Sequence, residues 1–336
     1  MGVLEPKFKY KLRFRKKPAR KVDSAMPTVE AETVAETVAS PPQIDFIQLQ
    51  PTRFEEITKS QQDCKGYRGL VMENGIKVML ISDPTTEKSA TCLCIEVGHM
   101  NDPHDVPGIA HLTEHVLFLG SNKFPDENGF RSFVSENGGL TNAQTFADVT
   151  KYFFDIMPEK LPQALDRFSQ MFISPLFTEG SVMREISAVN NEHEKNLSVD
   201  AWRTRMVNKT LANPNHPFSK FSTGNKNTLI DFPKRYGIDV RAELIEFHNK
   251  WYRTGNLMNL AVIGKNNLDE LEEMVRNNFL DGIENKHVEL PLWEDEIYMK
   301  EQIMTKTFIE PIMDVRSMTL SFPTPDLKHC YKSRVR

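Results

Sequence analysis

The sequence predicts an α+β fold. Three observations predict it: β-rich runs flank a hairpin signal early in the ordered region, amphipathic stretches of helical period follow, and strand and helix signals are mixed along the chain. Ordered structure is expected from about Gly66. Arg68–Met72 and Ile76–Ser82 flank Glu73-Asn74-Gly75, where Asn-Gly is a strong hairpin turn signal. Ala90–Val97 is apolar and β-rich, a predicted buried strand. Pro107–Gly120 has helical period, and Glu127–Glu136 reads as a second helix stopped by Gly138-Gly139. Lys151–Ile156 is a predicted strand. Glu159–Phe172 is amphipathic, with Leu161, Leu165, Phe168 and Phe172 at helical spacing. Glu179–Lys195 and Asp200–Leu211 are predicted helices. Helix Val240–Tyr252, strand Leu257–Ile263 and helix Leu268–Phe279 follow, and Ser317–Phe322 is a predicted apolar strand.

The 336 residues leave room for one large domain plus a fragment, or for two small ones. Hydrophobic residues at 39% and charged residues at 26% suit a globular chain with a core. A formal net charge of −4 sets aside nucleic-acid binding through bulk electrostatics. Cys64, Cys92, Cys94 and Cys330 are too few for a disulfide scaffold, and Cys92 and Cys94 share one face of a predicted strand, unlike a zinc knuckle. A reducing compartment is expected. No window approaches eighteen continuous apolar residues, so no membrane insertion is expected, and no apolar segment of a secretory signal follows the N-terminus.

Residues 1–51 read as a disordered arm. Nine Lys or Arg lie between positions 5 and 22 against Glu5 alone, and a low-complexity Ala-Glu-Thr-Val stretch follows. The basic run is a solvated tail or a nuclear or mitochondrial address; the cytoplasm is otherwise the expected compartment. A composition shift near Glu284–Leu292 marks a linker, and the roughly 45 residues after it are too few for a core of their own. The expected layout is therefore an arm, a folded domain over 52–285, and the opening of a second domain over 286–336.

The sharpest chemical signal is His111-Leu112-Thr113-Glu114-His115. Histidines at i and i+4 lie on one helix face, one turn apart, where both can coordinate one Zn²⁺. Glu114 at i+3 is placed as a general base toward an attacking water. The order His-x-x-Glu-His is that of the inverzincins. A catalytic zinc site needs a third protein ligand. The predicted helix over 179–195 offers Glu185, Glu192, His193 and Glu194, and the seven-residue step from Glu185 to Glu192 puts those two on one face. One of the pair could hold metal while the other orients a ligand histidine. The same residues would also suit a solvated charged helix.

His111–His115 with Val116-Leu117-Phe118-Leu119-Gly120-Ser121 and Phe124-Pro125-Asp126-Glu127-Asn128 resembles the M16 family of zinc metallopeptidases, in its insulysin and nardilysin branch. The likeness continues in Gly139-Leu140-Thr141-Asn142-Ala143, Asp200-Ala201-Trp202-Arg203, His216-Pro217-Phe218-Ser219-Lys220-Phe221, Thr223-Gly224-Asn225-Lys226 and Phe322-Pro323-Thr324-Pro325-Asp326-Leu327. It implies an M16-type domain, an antiparallel-rich sheet packed with helices, followed by a truncated second domain. It implies a metalloendopeptidase with one Zn²⁺ per chain, held by His111, His115 and Glu192. Glu114 would be the general base and Glu185 the supporting glutamate. Asn142 and Ala143 would lie on an edge strand that pairs with substrate backbone, and Phe118 and Trp202 near the scissile-bond pocket. Peptides are the implied substrates, with a second copy or a full-length relative as a possible partner.

Two departures stand out. Position 113 is Thr where relatives often carry Cys or a large apolar residue. Enzymes of the branch are also several times longer, with a second half that clamps substrate. A catalytically weak chain acting as a binding or regulatory partner, or an unstable incomplete product, is the alternative expectation.

Overall fold

The computed structural model describes residues 51–314 and 316–324. Of these, residues 51–297 belong to one compact unit and those from Tyr298 to another. Apart from Pro51, the predicted arm lies outside the described residues. No described helix is long and apolar enough to cross a membrane.

Among the described residues, seven strands form one mixed sheet: β1 (Thr52–Phe54), β2 (Gly66–Val71), β3 (Lys77–Ser82), β4 (Ser89–Ile95), β5 (Leu140–Thr145), β6 (Thr150–Ile156) and β7 (Met258–Gly264). Their order is β1-β2-β3-β7-β4-β6-β5. Every pairing is antiparallel except β3 with β7, because β7 returns late in the chain to fill the gap between β3 and β4. The helices are α1 (Ile109–Val116), α2 (Gly129–Glu136), α3 (Leu161–Ile173), α4 (Glu179–Asn196), α5 (Asp200–Thr210), α6 (Phe232–Tyr236), α7 (Val240–Trp251) and α8 (Leu268–Phe279).

The alternation of side chains along each strand decides which face of the sheet is covered. On β4, Ser89, Thr91, Leu93 and Ile95 are buried while Ala90, Cys92 and Cys94 are half-buried. On β6, Thr150, Tyr152, Phe154 and Ile156 are buried and Phe153 is exposed. One face therefore packs on helices, and the other is open, as antiparallel strands allow. Ala90–Val97 is thus a one-sided strand, not one buried on both faces. The packed face meets Leu161, Leu165, Phe168 and Phe172 of α3, all fully buried, and Phe168 touches Phe154 edge-on at 5.1 Å between centroids. The expected hairpin forms at Gly75 (φ +87°), and Asn74 does a second job there. Its Nδ2 donates to the carbonyls of Phe279 (2.7 Å) and Ile283 (3.2 Å), closing the carbonyl end of α8.

Three expectations are corrected, and one element had none. The sheet starts before Gly66, since Thr52–Phe54 pairs with Gly69–Val71. Ser317–Phe322 is not a strand: an apolar run becomes one only with a ladder partner, and none pairs with it among the described residues. The helix predicted over Pro107–Gly120 is only α1: Gly108 enters it at φ +100°, and beyond Val116 the chain opens into a turn that ends at Gly120 (φ +83°). The short helix α6, preceded by a wide turn over Asn227–Asp231, had no periodic signal.

Two core histidines give the fold an acid sensitivity. His248 on α7 donates from Nε2 to Phe172 O at 3.0 Å, and burial pushes its pKa down to about 3. Burial, with the Lys209 ammonium beside it, takes His99 to about 3 as well. Both stay neutral in the folded chain while the unfolded chain titrates near 6.5. Their contribution is present above pH 6.5 and is lost as pH falls from 6.5 toward 3, where only the unfolded state takes up protons. Each should cost about 2 kcal/mol between pH 7 and pH 5. Urea unfolding in chelator at both pH values should show that loss shrinking by one histidine's share in His248→Gln, which keeps an N–H donor for Phe172.

Candidate metal centre and active site

The site is assembled where α1 passes between α4 and β5. Leu112, Thr113 and Val116 turn one side of α1 into the core, which leaves His111, Glu114 and His115 half-buried on the other. Thr113, the departure noted above, faces away from the histidines and donates its hydroxyl to Ile109 O at 2.7 Å. The entry to α1 is held by Asp102, a buried carboxylate that accepts the N–H groups of Gly108 (2.6 Å) and Ala110 (3.0 Å). A negative group at a helix N-terminus satisfies free donors and opposes the positive end of the dipole.

Both imidazoles are oriented through Nδ1. His111 Nδ1 lies 2.7 Å from Thr223 O, and His115 Nδ1 lies 3.0 Å from Glu185 Oε2. Both partners only accept, so each ring carries its proton on Nδ1 when neutral and offers the Nε2 lone pair. The two Nε2 atoms face Glu192 Oε2, at 3.7 Å from His111 and 3.6 Å from His115. These three donor atoms all lie within 4.8 Å of one another. Ligand atoms about 2.0–2.1 Å from a tetrahedral zinc would be separated by about 3.4 Å, so the group fits such an ion after a small inward shift.

The step of seven along α4 now separates into two roles. Glu192 joins the histidine nitrogens, and Glu185, two turns earlier, holds the far side of His115. His193 is buried edge-on against Phe221 at 5.2 Å, and Glu194 is exposed, so neither joins the group. The charges agree with this arrangement. Burial opposes a charged His115, yet its pairing with Glu185 and Glu192 and the field of Glu114 carry its pKa up to about 9. Pairing with His115 outweighs burial at Glu192 and lowers its pKa. The pocket is built to hold positive charge.

Glu114 does not share the metal group. Its Oε2 accepts from Thr145 Oγ1 at 2.6 Å, which ties the carboxylate to the last residue of β5. Asn142 and Ala143 lie on that same strand, the outermost of the sheet, with one side unpaired among the described residues. Asn142 is exposed, and its Oδ1 accepts the Ala143 N–H at 2.9 Å. Phe118 is 2% exposed, stacked near Phe130 and Tyr152, and its ring is covered by the Arg131 guanidinium at 4.0 Å. Trp202 sits half-buried on α5 with Arg205 5.4 Å from its ring. Thr145 and Thr223 were not singled out as site residues. Thr223 acts through a backbone carbonyl, which leaves no mark on residue type.

Two glycines let Thr223 reach His111. Gly108 (φ +100°) and Gly224 (φ +76°) meet so closely that a Cβ on Gly108 would lie 2.3 Å from Gly224 Cα. Gly108→Ala is expected to destabilise the fold by about 1–3 kcal/mol. It should weaken zinc binding by about 10–100-fold, the usual effect of disturbing an outer partner of a ligand histidine. Chemical denaturation and a zinc titration check both.

Residues 77–215 match the family described as insulinase (peptidase family M16), and residues 239–335 match the peptidase M16 inactive domain. The chain belongs to the M16 family. It is 54% identical over 281 residues to an insulin-degrading enzyme of Drosophila melanogaster, covering 84% of this chain and 28% of that protein. It is 48% identical over 277 residues to the insulin-degrading enzyme of Homo sapiens, covering 82% and 27%. Its fold superimposes on the crystal structure of pitrilysin with a TM-score of 0.71 at 32% identity, covering 75% of this chain and 26% of that one. The chain thus spans about a quarter of the length of the M16 proteins it matches.

Proposed function

We propose that this chain carries the metal site of a zinc metalloendopeptidase and hydrolyses internal peptide bonds at it. The observation that carries the reading is the pair of histidines whose Nδ1 atoms are both taken by acceptors, so that both Nε2 lone pairs converge with the Glu192 carboxylate. Two imidazoles and one carboxylate are a donor set for zinc, which would leave a fourth position for water or substrate. Bound there, the ion would lower the pKa of a coordinated water to about 7 and polarise the scissile carbonyl.

The remaining steps belong to the protein. Glu114, fixed by Thr145, accepts the proton of the attacking water and returns it to the leaving amine. Glu185 holds His115 in its tautomer through the cycle. The unpaired side of β5 receives the substrate as an added strand, a mode that reads backbone more than side chains and suits loose sequence preference. Asn142 and Ala143 lie in that strand, beside the residue that positions the base. Residues 52–285 would form the catalytic domain, with 286–336 opening a second one.

The test is cleavage of an internally quenched fluorescent peptide by the chain, with zinc counted in the same sample. Turnover lost to a chelator and restored by stoichiometric zinc supports the reading. Stoichiometric zinc without turnover would keep the metal site and refute hydrolysis by this chain.

A further inference from the structure

The open face of the sheet carries a second chemical feature, independent of the metal group. Cys92 and Cys94 are two apart on β4, so they project from the same face, and their sulfurs are 3.9 Å apart. Both are half-buried and neither is in a disulfide. Lys151 of β6 stands directly opposite Cys94, and Asn259 of β7 flanks it on the other side. Lys151 has no carboxylate partner among the described residues; its ammonium lies over the Phe146 ring at 5.1 Å. Glu96, next on the same face, is engaged by the Asn259 amide at 2.8 Å and lies 3.5 Å from Lys77.

We propose that Cys92 and Cys94 form a peroxide-sensitive dithiol in which Cys94 is the attacking thiolate, Cys92 resolves it, and a reversible intrachain disulfide results. A thiolate needs a nearby cation and access to solvent, and a sensor cysteine needs a second thiol within reach. This pair has all three. The two sulfurs are also driven apart in character. The contact with Cys92, aided by the Lys151 charge, lowers Cys94 to about 7, while the same contact and burial push Cys92 up.

In the first step the Cys94 thiolate attacks one peroxide oxygen. The S–O bond forms, the O–O bond breaks, hydroxide leaves, and sulfur is oxidised by two electrons to the sulfenic acid. In the second, the Cys92 sulfur attacks Cys94, the S–S bond forms, and water leaves with the Cys92 proton. The strand opposes a relaxed bridge. Residues i and i+2 of an extended strand lie about 6.6 Å apart at Cα, near the outer limit for a disulfide, and their parallel Cβ atoms are about as far apart, beyond the roughly 3.5–4.5 Å that a disulfide spans. The bond therefore forms only as β4 loosens locally from its ladders with β6 and β7, which leaves the product strained. A strained disulfide is readily reduced, so a small dithiol should reverse it.

The experiment uses the full chain carrying Cys64→Ser and Cys330→Ser, treated with hydrogen peroxide and followed by thiol titration and intact mass. Loss of both thiols with a mass lower by two hydrogens, reversed by dithiothreitol, is the expected result. With Cys92→Ser added, dimedone should trap a sulfenic acid at Cys94. With Cys94→Ser added, Cys92 should react about ten-fold more slowly or less. Thiols that persist, or a pair that passes to sulfinic acid without a disulfide, would overturn the proposal on the parent chain alone. Equal reactivity of Cys92 in the Cys94→Ser chain would overturn the assigned roles.

Discussion

Glu114→Gln is expected to lower peptide hydrolysis by about 10²–10⁴-fold and to leave zinc content unchanged. Gln has nearly the shape of Glu, and its amide oxygen can still accept from Thr145 Oγ1, so the side chain keeps its place. What it loses is the ability to accept a proton. Glu114 lies outside the three donor residues, so the metal group is untouched. Glu114→Asp is a sharper comparison. It keeps the base but shortens the arm by one methylene, which breaks the tie to β5. Activity between those of the wild type and Glu114→Gln would show that position as well as basicity matters. Rates on a quenched peptide, with zinc measured by atomic absorption on the same samples, decide the matter. A Gln variant that cleaves at the parent rate would remove Glu114 from the mechanism.

Glu192→Gln is expected to weaken zinc binding by more than about 100-fold, beyond the 10–100-fold expected for Glu185→Gln. The two glutamates share a face of α4 and are chemically identical, but their partners differ. Glu192 faces two Nε2 lone pairs, whereas Glu185 faces one Nδ1–H. Removing the first charge replaces an anionic donor with a much weaker neutral amide oxygen. Removing the second leaves all three donors and takes from His115 only the negative partner that orients it and raises its basicity. A competition titration against a chelator of known affinity ranks the two. If Glu185→Gln proved the more damaging, the assignment of ligand and support would be reversed.

This division was half legible in the sequence. The His111–His115 spacing places both rings on one face of any helix, so the pair could be read before any fold was known. The step from Glu185 to Glu192 could be read as a shared face, but periodicity cannot say which member meets the metal group. The register of α4 against α1 decides that, and it is set by packing. Thr223 was invisible because it works through its carbonyl. Thr145 was invisible because β5 is a polar edge strand. Leu140-Thr141-Asn142-Ala143-Gln144-Thr145 has no apolar alternation, and it becomes a strand only by pairing with β6. Three-residue β1 is too short to leave a pattern, and Ser317–Phe322 has the pattern without a partner. Phe118, which the family resemblance puts near the scissile-bond pocket, turns its ring into the core beneath Arg131.

The central claim is that His111, His115 and Glu192 hold one zinc through two nitrogens and a carboxylate oxygen. X-ray absorption on the chain loaded with one equivalent of zinc tests it most directly. The account predicts nitrogen and oxygen neighbours at about 2.0–2.2 Å, with two imidazole scattering paths, and loss of the bound ion in His111→Ala. A sulfur neighbour at about 2.3 Å, or an unchanged spectrum in His111→Ala, would contradict it.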